Sequence, residues 1–239
     1  MDTLEFTLPS GRKVEIKEFS VEAEKILDNK QALKSGKWLN KFMVKSLVSL
    51  DGKPVPKNEG EAVTLLLDMK SGDRNYLLLQ IRILNYGADM TFNYECPKCG
   101  KISGYSMNLQ EMLDDGTLKV YPYREDLPLI VETRSGIAEI EYSTGRSEQW
   151  LAELGNPDRI HLAMAMCSKF NGHPPEYKEF AGMFAKDISE IRKAGNNLKG
   201  GLDPFIELDC IECDTSYTIP IYRIPDFFTP LMTTDSIGL

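Results

Sequence analysis

YECPKCGKIS (residues 94–103) and LDCIECDTSY (residues 208–217) share one outline, with two cysteines three positions apart in each. Alternating apolar and polar residues flank both pairs: TFNYE and ISGYSM around the first, FIELD and SYTIPI around the second. Alternation of this kind reads as two strands joined by a tight turn. A turn between strands that carries CxxC is a zinc knuckle, which points both thiolates at one spot about 2.3 Å from a metal. One knuckle supplies two ligands, whereas a structural zinc takes four in a tetrahedron. The spacing therefore predicts one closed site made by Cys96, Cys99, Cys210 and Cys213, holding a structural Zn2+. In CPKCG, Pro97 stiffens the loop and Gly100 permits unusual backbone angles, while CIECD has neither residue.

Four other readings stand beside this one. A redox CxxC should open a helix in a βαβ unit, and neither pair does. The pairs also fit two structural turns that never meet, or a zinc shared between chains. A catalytic zinc needs an open position and ordinarily His or carboxylate ligands, which four thiolates do not leave. On the shared-site reading the ribbon is split, with a module of about 110 residues inserted between its halves, and loop-closure entropy grows slowly enough to tolerate that.

Working outward, LEFTLPSGRKVEIKEF predicts a β-hairpin, with Leu4, Phe6, Leu8, Val14 and Ile16 facing one side. Ser20 reads as the N-cap of a helix running to about Lys34, with Glu22 and Glu24 in its first turn. Further helices are expected over KWLNKFMVKSLVSL, ended by DGKPVP, and over EGEAVTLLLDM and SGDRNYLLLQIRILNYG, the last capped by Gly87. Residues 20–87 thus read as a small helical bundle. After the first knuckle, residues 109–145 read as a short helix and two strands, and RSEQWLAEL as a helix. Asn156-Pro157 is expected to cap another helix, with Ile160, Ala163, Met164, Cys167 and Phe170 on one face and its end at Asn171-Gly172. One or two helices follow over residues 174–195. The fold class is therefore α+β: an N-terminal β-hairpin and small helical bundle, then split zinc-ribbon-like hairpins around a mostly helical insert. The expected units are 1–88, 89–108 with 204–223, 109–203, and a tail from 224 to 239.

Composition bounds the function. The 239 residues carry a net charge of -8, a poor start for a nucleic-acid binder. The charge is uneven, with 11 basic against 8 acidic residues up to position 57 and 17 against 28 beyond it. No apolar run approaches the roughly 18 residues of a membrane span, and the acidic N-terminus is unlike a secretory signal, which points to a cytosolic setting. There five cysteines read as metal ligands or buried thiols, and Cys167 as a core residue. His161 and His173 have no nucleophile–base arrangement around them, and no phosphate-loop or hydrolase motif occurs, so the reading is non-enzymatic. Lys30, Lys34, Lys37, Lys41 and Lys45 fall at helical spacing, either as a solvated face or as a docking face for an acidic partner. Phe227 and Phe228 are expected to pack on the ribbon or the helical core, or else to insert into a partner.

The order of these elements resembles that of the baseplate hub assembly proteins, or tail assembly chaperones, of contractile-tailed bacteriophages. The hairpin LEFTLPSGRKVEIKEFS, the stretch GDRNYLLLQIRILNYG and the knuckle TFNYECPKCG carry most of the likeness, with CIECDTSYTIPI and DFF adding a looser part. The resemblance covers residues 3–107 and, loosely, 204–228. It implies a non-enzymatic role in building the baseplate hub or sitting in it, in the host cytoplasm during assembly and then in the virion, with other baseplate, hub or tail proteins as partners. The alternative is a zinc-ribbon nucleic-acid-binding or transcription-associated protein, against which the net charge speaks.

Overall fold

The computed structural model describes residues 2–25, 37–224 and 227–228, and the architecture is mixed α and β with several small sheets. Strands β1 (Thr3–Thr7) and β2 (Lys13–Lys17) form the expected hairpin, with Leu4 opposite Ile16 and Phe6 opposite Val14. Its turn closes through Leu8 N–H to Arg12 O at 2.8 Å, with Gly11 at φ +86°. Ser20 stands at the N-cap of α1 (Val21–Glu24), as expected, but its side chain makes no cap hydrogen bond. The rest of the helix expected up to Lys34 lies outside the described residues.

Helix α2 (Lys37–Ser46) stops earlier than its periodicity suggests. Leu47–Leu50 is a strand, β3, which pairs with β2 and then turns into the short β4 (Lys53–Pro54). Asp51 and Gly52 both have positive φ, 54° and 72°, as a two-residue hairpin turn of primed type requires. The expected hairpin is thereby widened to a four-stranded sheet, β1-β2-β3-β4, alongside the expected helices. The reason is cooperative: β2 offers an unpaired edge, and pairing with it buries both Leu47 and Leu50.

Helices α3 (Glu59–Leu67) and α4 (Ser71–Tyr86) follow, the latter closed by Gly87 at φ +80°. Helix α4 is the spine of the molecule, and its polar residues tie other elements to it. Asp73, 2% exposed, accepts a hydrogen bond from Ser10 N–H at the hairpin tip. Arg74 donates to Leu66 O at 2.8 Å and to the Glu148 carboxylate at 3.0 Å. Arg82 donates to the carbonyls of Gly87 and Asp89, so it both closes the C-terminal turn of α4 and positions the first knuckle strand. A Cβ at Gly72 would stand 2.0 Å from Gly200 O, so a glycine is needed where the returning chain crosses α4.

Strands β5 (Asp89–Glu95) and β6 (Ile102–Asn108) form the first knuckle hairpin, and α5 (Leu109–Asp114) begins the insert. Within the insert, β8 (Leu129–Glu132), β9 (Ile137–Ile140) and β10 (Cys167–Phe170) make a three-stranded sheet. Around it lie α6 (Gly145–Leu154), α7 (Arg159–Met166), α8 (Tyr177–Ala181) and α9 (Ala185–Asn197). The short strands β7 (Val120–Tyr121) and β11 (Gly201–Leu202) pair where the chain enters and leaves. The second knuckle hairpin is β12 (Phe205–Asp209) with β13 (Ser216–Pro220).

Two details of the insert correct the sequence reading. The cap of α7 is Asp158, whose carboxylate accepts from Ile160 and His161 N–H, so Pro157 stands outside the helix. The helix also ends at Met166. Cys167–Phe170 is a strand, and Asn171-Gly172, with φ of 50° and 83°, turns it rather than ending a helix. Cys167 is buried as expected, and burial pushes its thiol up to about 11.

Among the described residues, buried side chains form two clusters. One joins the sheet, α2, α3 and α4 to both knuckle hairpins, and includes Val14, Phe42, Leu77, Phe92, Ile206, Ile219 and Phe228. The other lies inside the insert, between its sheet and α7, α8 and α9. Arg74–Glu148, Arg146–Asp68 and Asn40–Gln149 fasten α6 of the insert onto the first body.

Candidate metal centre

The two knuckles are local copies of one another. In the first, Cys96 N–H donates to Lys101 O at 2.9 Å and Gly100 N–H to Cys96 O at 2.9 Å. In the second, Cys210 N–H donates to Thr215 O at 3.0 Å and Asp214 N–H to Cys210 O at 2.9 Å. Gly100 has φ +69°, and Asp214 takes the equivalent place at φ +52°. Aspartate is among the few residues other than glycine that tolerate this left-handed conformation. The absence of glycine from CIECD therefore does not change the turn.

The fold sets these turns face to face. Met90 and Phe92 of β5 and Ile206, Leu208 and Ile219 of β12 and β13 belong to the same buried cluster, with Tyr105 and Met107 of β6 packed against it. Tyr105 Oη lies 2.9 Å from Tyr217 Oη and donates to Asp209 O at 3.2 Å, and the Tyr94 and Tyr217 rings stack at 5.7 Å. At the tips, Lys101 Nζ meets Glu212 at 2.7 Å. Neither the tyrosine contacts nor this ion pair was read from the sequence. The only signal was that Tyr105 and Tyr217 each sit on the returning strand of their knuckle, and Tyr94 on the outgoing strand of the first.

All four sulfurs, of Cys96, Cys99, Cys210 and Cys213, lie within 4.8 Å of one another. Cys96 Sγ is 3.8 Å from Cys213 Sγ, and Cys99 Sγ is 3.7 Å from Cys210 Sγ. A tetrahedron with ligands about 2.3 Å from its centre has edges of about 3.8 Å, so the set fits a four-thiolate metal site. Cys96 and Cys210 are buried, Cys213 is half-buried and Cys99 is exposed.

The thiols are electrostatically unequal. The Thr215 hydroxyl, 3.4 Å away, steadies the Cys213 thiolate and draws that thiol down to about 6. Cys96 is held below the usual thiol value by the backbone N–H of Cys99, against the opposing effect of burial. The backbone N–H of Lys101 favours a Cys99 thiolate, but desolvation and the neighbouring sulfurs outweigh it and push Cys99 up to about 11. The physical content is that the first thiolate in so small a space makes the next ones harder to form. A divalent cation at the centre reverses that repulsion.

The other residues singled out from the sequence lie elsewhere. His161 Nδ1 sits 2.7 Å from Asp158 Oδ1, and its ring packs between Trp150 and Tyr177. His173 Nε2 is 3.5 Å from Glu179. Lys30 and Lys34 lie outside the described residues, and Lys37 begins α2. Lys41 and Lys45 both reach Glu59 of α3, at 3.2 and 3.9 Å, so part of the expected lysine face is partnered within the chain. Phe227 and Phe228 are 2% and 7% exposed. Their rings meet at 4.7 Å and Phe228 meets Phe42 at 4.8 Å, so insertion into a partner is replaced by packing in the core. No helix among the described residues is long and apolar enough to cross a membrane.

A family model described as T4 bacteriophage base plate protein matches residues 1–129. No curated protein and no solved structure matches the chain. The matched span runs from the N-terminal hairpin through α4, whose Asp73, Arg74 and Arg82 hold the hairpin tip, the insert and the first knuckle in place, and through that knuckle itself. The chain belongs to the family of T4 bacteriophage base plate proteins.

Proposed function

We propose that this chain is a non-enzymatic structural or assembly protein of the contractile-tail baseplate hub, stabilised by one structural zinc held by Cys96, Cys99, Cys210 and Cys213. The observation that carries the zinc is the gathering of four sulfurs within 4.8 Å of one another, two of the pairs at 3.7 and 3.8 Å, the edge length of a thiolate tetrahedron. Zinc supplies a bond between segments more than a hundred residues apart and no chemistry beyond that. A filled shell of four thiolates leaves no position for substrate, which favours scaffolding over catalysis. Zinc is favoured over harder cations because soft thiolates select it.

The chain's own residues support the same role. Both knuckles belong to the core that contains the N-terminal sheet, so pinning them together fixes where the insert leaves and returns. We take residues 1–88, the split ribbon 89–108 with 204–223, the insert 109–203 and the tail 224–239 as the units of this scaffold. The hub as the place of action, with assembly in the host cytoplasm, is the finer reading of the family membership. Other hub or tail proteins are then its partners, with the exposed flank of α2 at Lys41 and Lys45 as one candidate contact.

Native mass spectrometry of the untagged chain, with pull-down of tail proteins from infected-cell lysate, tests both halves. One zinc per monomer, lost in Cys96→Ser and in Cys210→Ser, is the expected result for the site. A chain without zinc, or with zinc only in dimers, would sink the intramolecular site. Failure to associate with any hub or tail protein would remove the hub reading.

A further inference from the structure

Contacts between protein atoms also close the ribbon. The Tyr105–Tyr217 hydroxyl pair, the Tyr105 bond to Asp209 O, the Tyr94–Tyr217 stack and the Lys101–Glu212 ion pair all join the two knuckles through protein atoms. Behind them the hairpins share one apolar core. The turn hydrogen bonds within each knuckle hold its thiols toward the opposite one. Two sulfur contacts run across the ribbon, Cys96 to Cys213 at 3.8 Å and Cys99 to Cys210 at 3.7 Å, within a set whose four sulfurs all lie within 4.8 Å of one another. Each of these pairs joins a buried thiol to a more exposed one: Cys96 to half-buried Cys213, and Cys210 to exposed Cys99. A small oxidant thus has one accessible sulfur in each pair.

We propose that the four-cysteine centre is also an oxidation site, at which the metal-free chain forms two disulfides across the ribbon, Cys96–Cys213 and Cys99–Cys210. The co-reactant is a hydroperoxide, with hydrogen peroxide as the simplest. The exposed sulfur attacks one peroxide oxygen, the O–O bond breaks, and a sulfenic acid and water form. The buried partner then displaces water from that sulfenic acid and forms the S–S bond. Each bridge consumes two thiols and one peroxide and yields one disulfide and two waters; the sulfurs lose two electrons and the peroxide gains them. The links would span 117 and 111 residues of chain, whereas a link within a CxxC turn constrains only that turn. The outcome deepens the metal reading and rests on its premise that the four sulfurs share one site. A chain that loses its metal in an oxidising medium keeps its ribbon shut.

The test uses the full chain, stripped of metal by a chelator under reducing conditions. Reductant is removed, hydrogen peroxide is added in stoichiometric amount, and the protein is digested without reduction for mass spectrometry. The expected products are peptides linked Cys96–Cys213 and Cys99–Cys210, with Cys167 still available to an alkylating agent after unfolding. Links Cys96–Cys99 and Cys210–Cys213, links between chains, or sulfinic acids without links would overturn the proposal. Near-ultraviolet circular dichroism of the stripped, reduced chain should retain its folded signal, and its loss would also overturn the proposal. In Cys99→Ser a single Cys96–Cys213 bridge should form with Cys210 left free, and a Cys210–Cys213 bridge there counts against it. Metal content of the chain as isolated is read separately. Absence of zinc would sink the metal reading and leave the linkage result standing, whereas links within knuckles would do the reverse.

Discussion

Replacing Phe228 with alanine separates a core residue from a docking residue. The ring is 7% exposed, meets Phe42 edge-on at 4.8 Å and meets Phe227 at 4.7 Å. Phe→Ala at buried sites costs about 3–5 kcal/mol, the transfer of the ring plus the cavity left behind. A ring that keeps 7% exposure loses less than one fully enclosed, so the lower limit of about 3 kcal/mol is expected. In a chain of this size each kcal/mol moves the midpoint by about 2–4 °C, which gives a fall of about 6–12 °C. Urea unfolding, followed by tryptophan fluorescence, gives the free energy, and scanning calorimetry gives the midpoint. The cycle with Phe42→Ala should show a coupling of about 0.5–1.5 kcal/mol, the term specific to an edge-on aromatic pair. A Phe228→Ala chain within about 0.5 kcal/mol of the parent, the range of ordinary surface changes, would refute the burial and restore the docking role.

Metal binding must displace the thiol protons, and Cys213 near 6 and Cys99 near 11 mark the range. Zinc affinity should therefore rise with pH between these values and fall below the lower one; competition with a chromophoric chelator across pH reads it, and a flat profile would contradict the thiolate set. Asp214→Gly should be neutral or stabilising by up to about 1 kcal/mol, because glycine accepts φ +52° freely, whereas Asp214→Val should cost about 1–2 kcal/mol and speed metal loss. Arg74→Met should cost about 1–3 kcal/mol by removing the bonds to Leu66 O and Glu148, and hydrogen exchange should rise first in α6; exchange unchanged there would mean that the insert is held by other contacts.

The knuckles and the N-terminal hairpin were legible because their determinants are local. Two-residue periodicity and turn residues at fixed offsets specify a hairpin with little help from the remainder of the chain. The four candidate ligands followed from that and from zinc's coordination number. Two segments were misread for one shared reason. LVSL before Asp51-Gly52 and CSKF before Asn171-Gly172 each continue the apolar rhythm of the helix preceding them. Both are strands, and both dipeptides are hairpin turns with positive φ at each residue. A short apolar run has no period of its own, so the neighbouring strand decided it: β2 for the first and β9 for the second.

The sequence alone determined where the thiols lie in the chain, that each pair sits in a turn, and how many are needed to close a metal shell. Tertiary structure alone decided that the two pairs meet, which thiols are buried, that Asp214 can replace glycine, and that Phe227 and Phe228 face inward. The physical reason is range. Backbone turns and side-chain alternation act over a few residues, whereas the meeting of Cys96 with Cys213 rests on a core assembled from α4, both hairpins and the chain's last aromatics, whose burial no local pattern encodes.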